Sequence, residues 1–141
     1  MALPPELLAA YRRTHYVVHA RGGDITLRIG ESSAEFDALL AEQGVPAAAL
    51  MTAFNPGSEL VGAAANAAAQ ARLLADLRAG GWSCLPSQAR DPRNRWPAEA
   101  TVAVPGIEQA AAAGLARRYG QNAFVWTALH AAAELIVIAD E

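Results

Sequence analysis

The chain has 141 residues, 53% hydrophobic and 18% charged, a balance that fits one folded globular domain and excludes a disordered chain. At this length a single core buries roughly two thirds of the surface that the unfolded chain exposes, so neither a disulfide nor a metal is needed for stability. A formal charge of -3 and a pI near 5.6 argue against a broad electrostatic grip on nucleic acid or anionic lipid, although one local basic patch would be compatible with them.

Pro4 and Pro5 suit the first turn of a helix whose apolar positions are Leu7, Leu8 and Tyr11 and whose last turn carries Arg12 and Arg13. From His15 the pattern becomes β-rich. Tyr16-Val17-Val18, a Gly22-Gly23-Asp24 turn and alternating Ile25, Leu27 and Ile29 predict a hairpin. Ser32 or Ser33 caps a second helix with Phe36, Leu39 and Leu40 on one face, and Gly44 and Pro46 stop it. Residues Ala47 to Phe54, confined between Pro46 and Asn55-Pro56-Gly57, predict a buried strand.

A long alanine-rich helix follows from about Val61 to Arg78, closed by Gly80 and Gly81. Trp82 to Ser87 predicts a strand, Gln88 to Pro97 an exposed arginine-rich loop, and Thr101 to Val104 another strand. Ile107 to Tyr119 has helical spacing and ends at Gly120. Two last strands, Ala123 to Leu129 and Glu134 to Ala139, flank a turn near His130. There is no internal repeat or linker, so residues 1–141 read as a single α+β domain: a mixed or mainly antiparallel sheet with about four helices packed on it.

Absent residues narrow the chemistry. All eleven basic residues are arginine, which removes a lysine Schiff base, a phosphate-loop lysine and a serine–lysine dyad, and the deficit fits a GC-rich coding sequence. Cys84 is the only cysteine and reads as a buried structural thiol, with no intrachain disulfide or thiolate cluster available. The start, Met1 to Pro5, lacks the basic and apolar runs of a signal peptide, and the longest apolar run is broken by Asn66 and Gln70, so a cytoplasmic location is expected. His15 and His19 would share one face of a strand and could begin a metal site, but no third ligand accompanies them, and no metal is expected. The Gly-x-Ser-x-Gly, Gly-x-Gly-x-x-Gly and His-Glu-x-x-His signatures of common enzymes are missing, and any cofactor is left unknown.

The most informative stretch is Thr52-Ala53-Phe54-Asn55-Pro56-Gly57-Ser58, where a buried strand breaks into a turn before a helix. Donors from Thr52, Asn55 or Ser58 beside a helix N-terminus would suit a phosphate or carboxylate, or they would simply cap the local backbone. Along the following helix Asn66, Gln70, Leu73, Leu74 and Leu77 share a face, so the inward stripe turns polar near the Asn55 turn. Buried amides need partners, and either that turn or a ligand supplies them.

These pieces resemble an uncharacterised bacterial group, domain-of-unknown-function family 3293. The resemblance is carried by Tyr11-x-x-Thr14-x-Tyr16, Thr52-Ala53-Phe54-Asn55-Pro56-x-Ser58, Asn66 with Gln70 and Leu73-Leu74, the Trp96 to Glu99 segment, and Gly120-Gln121-Asn122-Ala123. It implies a shared domain fold and no established activity. Within that pattern Gln121 and Asn122 follow a helix end, a position open to loop capping or ligand contact. Trp96 and Glu99 flank the arginine loop, Arg93 and Arg95 could close over an anion, and Glu99 is the best carboxylate for general-base work.

The leading expectation is a small module that binds a polar or anionic small molecule near Thr52, Asn55, Ser58, Asn66, Gln70, Gln121 and Asn122, with Arg93, Arg95 and Trp96 as a lid. One alternative is an enzyme using Glu99 or His15 as acid–base group in the same pocket. Another is a protein-interaction or self-associating domain, using the edge of the last hairpin or Phe124 and Trp126.

Overall fold

A computed structural model describes residues 3–138. Met1, Ala2 and the expected last strand residue, Ala139, lie outside the described residues. Four α-helices and seven strands follow in the order α1 (Pro5–Arg13), β1 (His15–Ala20), β2 (Gly23–Leu27), α2 (Ala34–Gln43), β3 (Ala47–Met51), α3 (Ala63–Ala79), β4 (Leu85–Arg90), β5 (Glu99–Pro105), α4 (Gln109–Arg118), β6 (Ala123–Ala128) and β7 (Glu134–Val137), with a 3-10 turn at Pro56–Ser58. The strands form one sheet of order β2-β1-β4-β5-β3-β6-β7 in which every neighbouring pair is antiparallel. This is the α+β architecture expected from the sequence.

The sheet curls into a half-barrel. Just beyond its two edge strands, Ile29 bridges Ala133, with Gly30 N–H donating to the Ala133 carbonyl at 2.8 Å and Ala133 N–H to the Glu31 carbonyl at 3.0 Å. Strand alternation then divides the core between two faces. On the inner face Tyr16, Val18, Ile25, Leu27, Leu50, Ala103 and Val125 pack with Phe36 and Leu40 of α2. On the outer face Met51, Val102, Val104 and Phe124 pack with Leu73 and Leu77 of α3 and Ala112 and Ala116 of α4. The central strand β3 is buried at all five positions because both faces are covered, which explains its unbroken apolar Ala-Ala-Ala-Leu-Met sequence.

Local chemistry sets the element ends. Ser33 Oγ accepts from Phe36 N–H at 3.1 Å to cap α2, and Gly44, at φ 69°, closes it in the left-handed conformation. Several expected boundaries move. The strand expected over Ala47 to Phe54 ends at Met51, because the backbone of Ala53 to Asn55 bonds to α3 side chains instead of to a neighbouring strand. Gln88, Ala89 and Arg90, read as loop, belong to β4, where they pair with β1 and leave only residues 91–98 as loop. Their polar sequence hid a strand whose outer side is only lightly covered, and inward Ser87 is satisfied by the Thr101 hydroxyl at 2.5 Å.

The helix expected from Val61 begins instead at Ala63, after Gly62 at φ 91°. Phe124 lies in the core and Trp126 packs beside it, so burial accounts for both aromatic residues of β6. Cys84 is partly buried, and desolvation pushes its thiol up, as suits a structural role. Among the described residues no helix is long and apolar enough to cross a membrane.

Because Phe36 is fully buried where α2 closes one end of the half-barrel, Phe36→Ala is expected to cost about 3–5 kcal/mol of stability. The check is a chemical denaturation curve with a lowered midpoint and an unchanged slope.

Candidate functional site

The end of the half-barrel opposite α2 is roofed by α1. This helix has no fully buried residue, and beneath it lies a cavity of about 290 Å³. Its floor is the inner sheet face, with Tyr16, Leu50, Ala89, Glu99, Thr101, Val125 and Leu135. The walls come from Leu7, Ala10, Tyr11 and Thr14 around α1, from Trp96, from Gln121, and from Thr52, Phe54, Asn55, Ser58 and Leu60 after β3. Leu60 stands at the mouth, 89% exposed.

An amide network builds the wall after β3. Asn55 adopts the left-handed conformation at φ 47°, in which Asn is among the better tolerated residues, and Pro56–Ser58 follow as a 3-10 turn. Asn55 N–H donates to Asn66 Oδ1 at 2.8 Å, while Asn66 Nδ2 donates to Asn55 Oδ1 at 3.0 Å. One turn further along α3, Gln70 Oε1 accepts from buried Ala53 N–H at 2.8 Å. Thr52 Oγ1 donates to the Ala100 carbonyl at 2.8 Å and accepts from Phe54 N–H at 3.0 Å.

From the α4–β6 connection, Gln121 Nε2 donates to the Phe54 carbonyl at 3.0 Å and Asn122 Nδ2 to Ser58 Oγ at 2.9 Å. Gly120, at φ 68°, lets that connection approach so closely that Gly57 N–H reaches its carbonyl at 2.7 Å. A Cβ at Gly120 would sit 3.0 Å from Pro56 Cβ. The amides therefore satisfy the backbone of residues 53–55 and the Ser58 hydroxyl.

One donor of the network points at the cavity. Asn55 Nδ2 donates to Glu99 Oε2 at 3.0 Å, and this is the only hydrogen bond of that carboxylate among the described residues. Half-burial pushes the Glu99 carboxyl above its ordinary value, against the smaller opposing effect of the Asn55 hydrogen bond. Burial also raises the phenol of Tyr11, offset in part by Ser58, and raises that of Tyr16 more strongly. The chemistry available is thus one poorly solvated carboxyl, two phenols that stay neutral at ordinary pH, and a largely apolar surround.

Of the residues singled out from sequence, Thr52, Asn55, Ser58, Trp96, Glu99 and Gln121 line the cavity. Asn66, Gln70 and Asn122 sit behind its wall and hold the turn. Arg93 and Arg95 stand outside. The Arg95 Nε–H donates to buried Asp91 at 2.9 Å, and this guanidinium holds the Asp91 carboxyl down to about 2, helped by the backbone N–H groups of Arg93 and Arg95. The arginine loop folds onto its own aspartate and forms no lid.

His15 is also displaced from the site. It pairs in register with Arg90 on the outer sheet face, one residue out of phase with Tyr16, which points inward. His19 Nδ1 bonds Asp24 at 2.8 Å, and no group of three His, Cys, Asp or Glu side chains among the described residues is placed to hold a metal. The expected dipole effect at the Asn55 turn is corrected as well. Residues 59–62 separate that turn from α3, and α3 has no side-chain cap.

Sequence reasoning did not place Leu7, Ala10, Tyr11, Thr14 or Tyr16 in the site. The signal was Tyr11-x-x-Thr14-x-Tyr16. The first pair lies one helical turn apart, and Tyr16 falls on the inward phase of β1.

Two measurements check these energetics. Asn66→Ala strips the Asn55 N–H and amide of their partner and is expected to cost about 2 kcal/mol by denaturation. Glu99→Gln is expected to raise the melting temperature at neutral pH. A carboxyl whose folded value is raised stabilises the fold at acid pH and loses that contribution as pH rises through the folded value. The gain of the variant over wild type should therefore vanish below the ordinary glutamate range and grow above it.

No curated protein and no solved structure matches the chain. A family model does match over residues 51–124, more than half of the 141 residues, spanning the turn after β3, Asn66, Gln70, Glu99, Gln121 and Asn122. The chain belongs to the family described as "Protein of unknown function (DUF3293)".

Proposed function

We propose that this protein is a small-molecule-binding domain whose ligand enters the cavity beneath α1. The observation that carries the reading is Glu99, a half-buried carboxylate on the cavity lining, steadied through one oxygen by Asn55. A polar group of this kind in an apolar recess fixes a ligand's orientation while the surrounding side chains bury its body. The volume, near the lower end of the ~300–1,000 Å³ usual for ligand sites, suits a compact molecule. Anchoring by the arginine loop drops out of this reading, since Arg93 and Arg95 are not among the lining residues. A cytoplasmic location belongs to the same proposal.

The raised Glu99 carboxyl also supports a second reading, acid–base catalysis on the bound molecule, because such a group exchanges a proton nearer neutral pH than an ordinary glutamate does. Of the two acid–base groups expected from the sequence, Glu99 lines the cavity and His15 lies on the outer face.

A thermal-shift screen of neutral, cationic and anionic compounds tests the binding reading. Ligands are expected to raise the melting temperature of the wild type and to lose that effect in Ala10→Phe, which fills the cavity from α1. No shift with any compound, or shifts that Ala10→Phe leaves intact, would refute it.

A further inference from the structure

We infer that the ligand of this cavity is a compact organic ammonium ion, received between the Glu99 carboxylate and the aromatic side chains of Tyr11, Tyr16, Phe54 and Trp96. The inference rests on the binding reading above and deepens it by assigning the ligand's charge.

Electrostatic balance is the first argument. Among the described residues Glu99 is the sole carboxylate on the lining, and no arginine or histidine joins it there. Its one hydrogen-bond partner is a neutral amide, and no ion pair reaches it among the described residues. A carboxylate half removed from water without a counter-cation is unfavourable, and an incoming cation supplies what the chain withholds. An anion would meet the opposite situation. Arg95, the arginine nearest to Glu99 in sequence, lies off the lining with its guanidinium already engaged by Asp91.

The second argument is the kind of apolar surface present. Four aromatic side chains from α1, β1, the turn after β3 and the loop before β5 line the same small cavity. Aromatic faces carry partial negative charge and attract ammonium groups, most of all where water is excluded. A quaternary or alkylated ammonium loses little hydration on entering such a place, whereas the Leu7, Ala10, Leu50 and Val125 surfaces offer a sugar or phosphate no hydrogen bond.

The test uses the full chain and three probes of one shape: choline, its neutral carbon isostere with a tert-butyl group in place of the trimethylammonium head, and the carboxylate of that same skeleton. Calorimetric titration is expected to find choline bound at least about tenfold more tightly than the neutral isostere, with the carboxylate weakest. Glu99→Gln should erase the preference for the cation while leaving the neutral isostere's affinity within about threefold. Wild-type protein supplies an independent measure. Choline affinity should fall as pH is lowered through the Glu99 titration while that of the neutral isostere stays level, because the phenols of Tyr11 and Tyr16, which face Glu99 from α1 and β1, remain neutral throughout.

Binding of the neutral or anionic isostere as tightly as choline, with loss of binding in Ala10→Phe, would overturn the charge assignment and leave the cavity as a ligand site. Failure of all three probes to bind would overturn it too. Failure of the broader screen is what refutes the cavity itself.

Discussion

The reciprocal bond between Asn55 and Asn66 is the constraint on which the rest of the site depends. The Asn66 side-chain amide accepts from the Asn55 backbone N–H and donates to Asn55 Oδ1, so the strained left-handed backbone at Asn55 is held by α3. Once the acceptor oxygen of Asn55 is committed to α3, its remaining N–H can point only one way, and it points at Glu99. A helix on the outer face of the sheet thereby sets the position of a carboxylate on the inner side. The sheet contributes Glu99 through the first residue of β5, and α1 supplies the cover that removes it from water.

That arrangement separates two duties often read as one. The amides of Asn66, Gln70 and Asn122 are spent on the backbone and side chains of residues 53–58, and the residues facing the cavity are mostly apolar or aromatic. A buried polar group left without its partner costs about 1–3 kcal/mol, so these paired groups give the wall a single conformation. Glu99 is the exception, with an oxygen free to meet something else. A group left unfavourable where it stands is what the proposed ligand site would draw on, at the expense of the fold's own stability.

Much of the fold was legible in the chain because local and global preferences agree. Ser33 and Gly44 bracket α2, and the alternation Ile25, Leu27 sets the inward face of the hairpin, although its turn falls at Arg21-Gly22 and the expected turn residues Gly23 and Asp24 already pair within β2. The helical spacing of Asn66 and Gln70 pointed correctly toward the Asn55 turn. What could not be read was whether those amides face the turn's backbone or a hollow, since both need a buried polar group at the same spacing. The strand at Gln88 to Arg90 was hidden by polar residues satisfied across the sheet, a pairing visible only in three dimensions. Tyr11 and Tyr16 escaped assignment because they reach Glu99 only when α1 folds back over a sheet whose strands lie some eighty residues further along.

The contact between Ile29 and Ala133 has a meaning beyond shape. An open antiparallel sheet presents two rows of unpaired peptide groups, each a template on which another chain could grow a strand. Here the segments that continue those rows bond to one another at residues 29–31 and 133, which withdraws that part of each row from fibril-like addition. Because the two halves of this clasp lie at residues 29 and 133, the clasp forms only after the segment around Ala133 has been made. A nascent or truncated molecule would be the form most prone to aggregate.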